Sequence, residues 1–456
     1  MFVRYMIALC ITGVMGTMGC ASHNIGTALP EPRRLGYDIA AFNAPEDASV
    51  QEPAGADVEE PTGFLSLGDA LALALMKNPE LAAFSWEVRA REAEILQAGL
   101  RPNPQAAIEI ENFVGSGEFD GFGGSETTLG LFQLFELGGK RGNRRSVAEQ
   151  SRNLAAWDYE TKRVDVLTEV TKNFVALLVA QKQAALAGEL VNVAEQMLDA
   201  VTMRVEAGGT SPVEQGRAQL ELHTTRIDLQ RAQREVDMTR QRLSAMWGET
   251  NPRFAEARGT IETTAPVPPI EEIVVRINHN PDLARWMTEF AQREAIASLE
   301  RSRRIPDLEL GIGIRRIAAT DDNALVAELT VPLPIFSRNQ GAIRAAERRV
   351  AMAREERRAS SVKIRTRLTD IYQQLVLSEG ELTRLRDEVL PEATTTFESA
   401  RTAYQRGRMR LTGVLDAQRT LFALRSRYYD ALGAYHQGRA DIERLIGAPL
   451  VEEETR

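Results

Sequence analysis

Apolar residues along this chain follow two different periods. In Ala107-Ile108-Glu109-Ile110-Glu111 and Asp307-Leu308-Glu309-Leu310-Gly311-Ile312-Gly313-Ile314 they take every second place, with acidic or small residues between them. That is the period of a strand with one apolar face. Return stretches follow each, Thr128 to Phe135 and Leu325 to Val331, across the loops GSGEFDGFGGSE and RIAATDDN. Four strands are predicted, at about 105–114, 126–136, 306–316 and 324–333. Elsewhere the spacing is helical. A helix of about thirty residues precedes each strand pair (Leu67 to Leu100; Glu271 to Arg303) and stops at Pro102 and Pro104, or at Pro306. Each pair then runs into a very long helix, Asn143 to Glu206 or Ala342 to Gln405. At ~1.5 Å per residue each is roughly 96 Å long. Breaks at Gly208-Gly209 and Gly407 lead to return helices, Val213 to Trp247 and Thr412 to Ile446, and Pro391 predicts a bend in the second long helix.

The elements occur twice in the same order. Residues 78–93, NPELAAFSWEVRAREA, and 280–295, NPDLARWMTEFAQREA, match at half their positions with an offset of 202, which also relates Pro104 to Pro306. Further on, Gly142 matches Gly341, Gly208 matches Gly407, Ala218-Gln219 matches Ala417-Gln418 and Gly248 matches Gly447, at 199. So long a period suits a pseudo-two-fold protomer rather than a solenoid. The expected organisation is a signal at 1–19, an extended leader at 20–62 without a core of its own, repeats at 63–250 and 271–449, a Pro-rich linker at 251–270 and a tail at 450–456.

Four strands with one apolar face cannot sit alone in lipid, because open edges leave backbone groups unpaired. Three chains giving four strands each would close a twelve-stranded barrel, apolar residues outward and Glu109, Glu111, Asp307, Glu309 and Glu328 toward a water-filled lumen. The long helices, about three times the ~30 Å hydrocarbon thickness and strongly charged, would form a hollow extension in water. The fold class is therefore mainly α with a small transmembrane β part, a trimeric barrel on an α-helical barrel.

Composition narrows the chemistry. A net charge of -9 disfavours nucleic acid. The N-terminus carries Arg4 and then an apolar run to Met18, the pattern of a signal peptide. Cys10 lies inside that signal, so Cys20 is the single cysteine of the mature chain and an intrachain disulfide is excluded. His23, His223, His279 and His436 have no ligand spacing, and no catalytic constellation or phosphate loop occurs. No enzyme activity, cofactor or metal site is expected.

Thr17-Met18-Gly19-Cys20 resembles a bacterial lipobox, with Thr17 in place of the usual leucine; the resemblance implies acylation of Cys20, the other reading being an ordinary cleaved signal. With Ala21 next, it implies sorting to the outer membrane. The doubled order of helix, two strands, long helix and return helix resembles the TolC-like outer membrane factors of Gram-negative efflux. The passages Leu134-Phe135-Glu136-Leu137-Gly138-Gly139-Lys140-Arg141 and Val331-Pro332-Leu333-Pro334-Ile335-Phe336-Ser337-Arg338-Asn339-Gln340-Gly341 are similar to the cobalt-zinc-cadmium branch. The resemblance implies a homotrimeric exit duct in the cell outer membrane, extending into the periplasm, that works with a periplasmic adaptor (a membrane fusion protein) and an inner-membrane pump of the resistance-nodulation-division type. It implies that the tips at Gly208, Gly209, Gly407 and Arg408 meet the adaptor. It also implies that Asp416, in Leu415-Asp416-Ala417-Gln418, closes the periplasmic mouth; Thr412, one turn earlier, stands where related channels often place a bulky apolar residue, and neighbouring arginines such as Arg419 could latch the acids shut, the other reading of Asp416 being a solvated position paired with Arg419 or Arg408. A multidrug or solvent channel, and a periplasmic coiled-coil structural lipoprotein, remain as alternatives.

Overall fold

The computed structural model describes residues 33–36, 38–45 and 59–450; Cys20, the signal and the tail beyond Leu450 lie outside the described residues. Each half begins at its Asn-Pro pair. Asn78 is extended (φ -63°, ψ 120°) and its side chain accepts from Leu81 N at 2.8 Å, with Pro79 at the first helical turn. Pro cannot donate into a preceding helix. The expected single helix is accordingly two, α1 (Leu67–Lys77) and α2 (Pro79–Gly99). In the second half, α5 (Ile270–Arg276), α6 (Pro281–Ala284) and α7 (Trp286–Ser302) divide the same stretch. The two asparagines also pin each half shut. Asn78 Nδ2 donates to Met246 O and Asn280 Nδ2 to Leu445 O, both at 2.8 Å, tying the start of each half to the end of its return helix.

Strands β2 (Gln105–Glu111), β3 (Glu126–Phe135), β5 (Leu308–Ile317) and β6 (Asp322–Thr330) form one antiparallel sheet in the order β2-β3-β5-β6, leaving β2 and β6 as edges. Two short strands, β1 (Phe64–Leu65) and β4 (Glu256–Ala257), pair separately in parallel. Gln105 lies opposite Phe132, and Glu309 opposite Thr330. With β2 and β5 related by 202, β3 and β6 correspond at 200, not 199. The physical reason is the pleat, since an odd shift would turn every side chain to the other face. The helix starts agree: Gly139 and Asn339, 200 apart, are both left-handed caps (φ 74° and 56°).

From these caps run α3 (Lys140–Glu206, 67 residues) and α8 (Gln340–Arg384), and they return as α4 (Pro212–Ala245) and α10 (Leu411–Ile446). Ahead of Pro391, residues Leu385–Val389 form a π-helical turn before α9 (Leu390–Gln405) resumes. The wider turn makes room for a ring that would strike the carbonyl four residues earlier. α3 contains one 18-residue stretch apolar enough to cross a membrane by composition, which its overall charge does not reveal. Val164, Val170, Phe174 and Leu177 of this helix are instead buried in the core against α1 and α10. α3 is central, with α4 on one side and α10 on the other, and α8 and α9 flank α10.

The leader is not free of the core. Leu35, Ile39 and Ala41 pack on Leu75, Leu81 and Leu167, and Ala44 N donates to Ser85 Oγ at 2.7 Å. Glu160 and Arg163, each 5% exposed, hold this strap as a pair: Arg33 N donates to Glu160, and Arg163 to Leu35 O. The physical reason is local: Leu35, Ile39 and Ala41 give the strap apolar side chains that cover Leu75, Leu81 and Leu167.

Candidate functional site

The sheet register sorts the strand residues. Ile108, Ile110, Leu129, Leu131, Leu310, Ile312, Ile314, Leu325 and Leu329 share one face and are all exposed. Glu109, Glu111, Glu309 and Glu328 share the other. Asp307 departs from the expected set, standing before β5 rather than in it. Its Oδ1 accepts from Lys140 Nζ at 2.6 Å and from Leu137 N at 3.0 Å, so it clamps the passage from β3 into α3. The acidic face is also less acidic than its glutamates suggest. Arg315 reaches Glu126 at 2.9 Å and Glu111 at 3.3 Å, and donates to Thr128 Oγ1 at 2.9 Å. In the sequence Arg315 simply follows the last alternating isoleucine, and pairing register alone brings it to those acids.

At the opposite end both tips use one backbone device. Gly208 (φ 72°) donates to Val205 O and Gly209 to Arg204 O; Gly407 (φ 73°) donates to Tyr404 O and Arg408 N to Ala403 O. These are paired Schellman closures, which only glycine at the left-handed position satisfies cheaply. No atom lies within 4 Å of a Cβ built on Gly208 or Gly407, so conformation and not crowding requires them. The return helices then start differently. Ser211 caps α4 by accepting from Val213 N, and Thr210 donates to Glu214, whereas Arg410 gives α10 no side-chain cap.

Thr412, Asp416 and Arg419 lie on one exposed face of α10, as their i, i+4, i+7 spacing requires. Arg419 is not engaged with Asp416. It donates through both Nε and Nη2 to Glu221 of α4, whose side chain is 8% exposed, and this bond raises the pKa of Arg419. Asp416 makes no salt bridge among the described residues and uses its backbone carbonyl to accept from Thr420. Between the two tips Arg204 donates to Tyr404 O at 2.9 Å, with its guanidinium 4.6 Å from the centre of the Tyr404 ring. Met197, Val201, Phe397, Leu411 and Val414 fill the core beneath. Glu221, Arg204 and Tyr404 were missed in the sequence because each partner lies on the other repeat, about two hundred residues away. Gln418 is fully buried with neither amide atom bonded, while its repeat mate Gln219 is exposed. His223 and His279 are exposed; His436 Nε2 lies 2.8 Å from Ile261 O, as a donor.

Residues 70–249 and 275–448 match the family model described as outer membrane efflux protein. The chain is 33% identical over 419 residues to the cobalt-zinc-cadmium resistance protein CzcC of Cupriavidus metallidurans, covering 91% of this chain and 98% of that one. It is 30% identical over 300 residues to the nickel and cobalt resistance protein CnrC of the same organism, covering 65% and 69%. A crystal structure of CusC superimposes with a TM-score of 0.70 over 92% of this chain and 99% of that chain, at 18% identity, a likeness of fold. Two matched repeats, a sheet with one lipid-compatible face and paired helical hairpins lead to one conclusion: the chain belongs to the outer membrane efflux protein family.

Proposed function

We infer that this chain is the outer-membrane exit duct for divalent heavy-metal cations of the cobalt, zinc and cadmium type, expelled by an inner-membrane pump of the resistance-nodulation-division type through a periplasmic adaptor. The observation that carries the metal reading is the similarity to CzcC over nearly the full length of both chains. The open edges support assembly into a closed homotrimer. β2 and β6 are open in the sheet, α4 and α9 are the outer helices below it, and three copies joined edge to edge leave no strand unpaired.

The four strand glutamates would then face the lumen, with Arg315 holding two neighbouring acids in place. The paired tips at Gly208, Gly209, Gly407 and Arg408 would meet the adaptor, and Thr412 and Asp416 would narrow the mouth while Arg419 is held back by Glu221. Acylation of Cys20 would fasten the leader to the membrane, next to a strap already packed on α2 and α3. The chain moves nothing uphill by itself; the pump supplies the energy. Growth of a deletion strain on cobalt, zinc or cadmium tests the substrate. Loss of tolerance to at least one of these metals is expected, and unchanged metal tolerance with new sensitivity to dyes would overturn the metal reading.

A further inference from the structure

The first half contains a contact that the second half lacks a partner for. The passage from β3 into α3 lies against the chain entering β5: a Cβ on Gly138 would stand 2.8 Å from Ile305 and 3.1 Å from Ser302 O, and Asn143 Nδ2 reaches Ser298 O. By the offsets of 200 and 202, the passage from β6 into α8 should meet the chain entering β2 in the same way. Within one protomer it cannot, because β2 and β6 are at opposite edges of the sheet. The surfaces left over are apolar. Phe336 is 91% exposed, and Leu96 and Leu100, the counterparts of Ser298 and Ser302, are 71% and 50% exposed. Ile343 stands where the first half has Asn143.

We propose that Phe336 and Ile343 of one copy cover Leu96 and Leu100 at the end of α2 in the next copy, forming an apolar seam between subunits at the base of the barrel. The occupant is a second copy of this chain, because antiparallel order around a closed sheet places the end of β6 beside the start of the next β2. The seam is the quasi-equivalent of a polar contact. Where the chain joins its own halves it uses Lys140 with Asp307 and Asn143 with Ser298 beside Ile305; where it joins another chain it uses branched and aromatic side chains, of which Phe336, Leu96 and Leu100 are exposed in the single protomer and Ile343 is half-buried. Pro332 and Pro334 withhold two backbone donors from the passage, so side chains rather than a longer ladder must carry the contact.

The proposal rests on the trimer reading above, and the test separates the two. The full chain carrying Leu96→Cys with Ile343→Cys, in outer membranes treated with a short bis-maleimide, should give covalent dimers and trimers on a denaturing gel. Each single variant, which retains Cys20, should remain monomeric. A heat-sensitive trimer that persists without cross-linking would overturn the seam and leave the trimer standing, lipid then being the cover; absence of any trimer would overturn both. Phe336→Ser should lower the temperature at which the trimer dissociates, while Phe122→Ser, also exposed, on the loop beyond β2, should leave it unchanged. Equal shifts in the two would also overturn the seam.

Discussion

The return helices α4 and α10 are copies of one element with opposite surroundings. α10 lies between α3 and the pair α8 and α9, and buries Leu411, Val414, Leu421, Leu432, Tyr435, Ile442 and Ile446. α4 packs chiefly on α3 and leaves Val213, Leu220 and Ile227 exposed at seven-residue intervals. A stripe repeating every seven residues on an outer helix is the pattern of a helix that meets another helix. The difference teaches that repetition sets the shape of each half, while position in the layer decides which copy finishes its packing inside the chain. Leu432→Ala removes a fully buried side chain and should destabilise the protomer by about 2–5 kcal/mol, read by chemical denaturation. Leu220→Asp should leave the protomer folded and abolish the trimer. If Leu220→Asp unfolds the protomer as Leu432→Ala does, α4 is not an assembly surface.

The same contrast sharpens at Gln418 and Gln219. An unpartnered buried amide costs about 1–3 kcal/mol, so Gln418→Leu should raise protomer stability by an amount of that order, while Gln219→Leu should change it little. A loss on Gln418→Leu would mean that the amide is bonded in the assembled channel. Glycine gives a smaller effect. Gly208→Ala and Gly407→Ala each force a left-handed backbone on a residue with a Cβ, which costs roughly 1–2 kcal/mol. The two stability losses should match, because the closures match. Efflux should nonetheless differ if one tip bears more of the adaptor contact, which metal tolerance of the two strains would register.

How much was legible in the sequence follows from range. The strands, the glycine turns and the Asn-Pro starts are local signals and could be read directly. Asn78 and Asn280 carried more than a helix start, yet the carbonyls they bind, Met246 and Leu445, leave no mark in the sequence because a backbone acceptor is the same on every residue. The ion pairs were the least legible. Arg419 stands three residues from Asp416 and bonds instead with Glu221, since the exposed face of α10 that carries both turns only Arg419 toward α4. Asp307 read as the first acid of an alternating strand, but the strand begins one residue later and the passage beside it brings Lys140.

The latch between the two return helices is the point where α4 and α10 act together. Glu221→Gln keeps the size of the side chain and removes its charge, so Arg419 is released to the exposed face it shares with Asp416. In cells lacking the pump, uptake of a large dye through the channel should change with Glu221→Gln and return toward the parent level with Arg419→Gln added. A double variant no closer to the parent than the single one would mean that the pair does not set the mouth.

The smallest expected effect belongs to α10 alone. Burial lowers the pKa of His436, Arg439 lowers it further, and the Ile261 carbonyl, Glu443 and Glu262 oppose the shift. The folded protein therefore binds that proton less readily than the unfolded chain does. Its contribution to stability is complete above the unfolded value near 6.5 and is lost as the pH falls toward the lowered folded value, at no more than about 1.4 kcal/mol per pH unit for one proton. Denaturation at pH 8 and pH 5 should show this loss, and His436→Gln should reduce it. A loss between pH 8 and pH 5 that His436→Gln leaves unchanged would mean that the burial of this ring does not carry it.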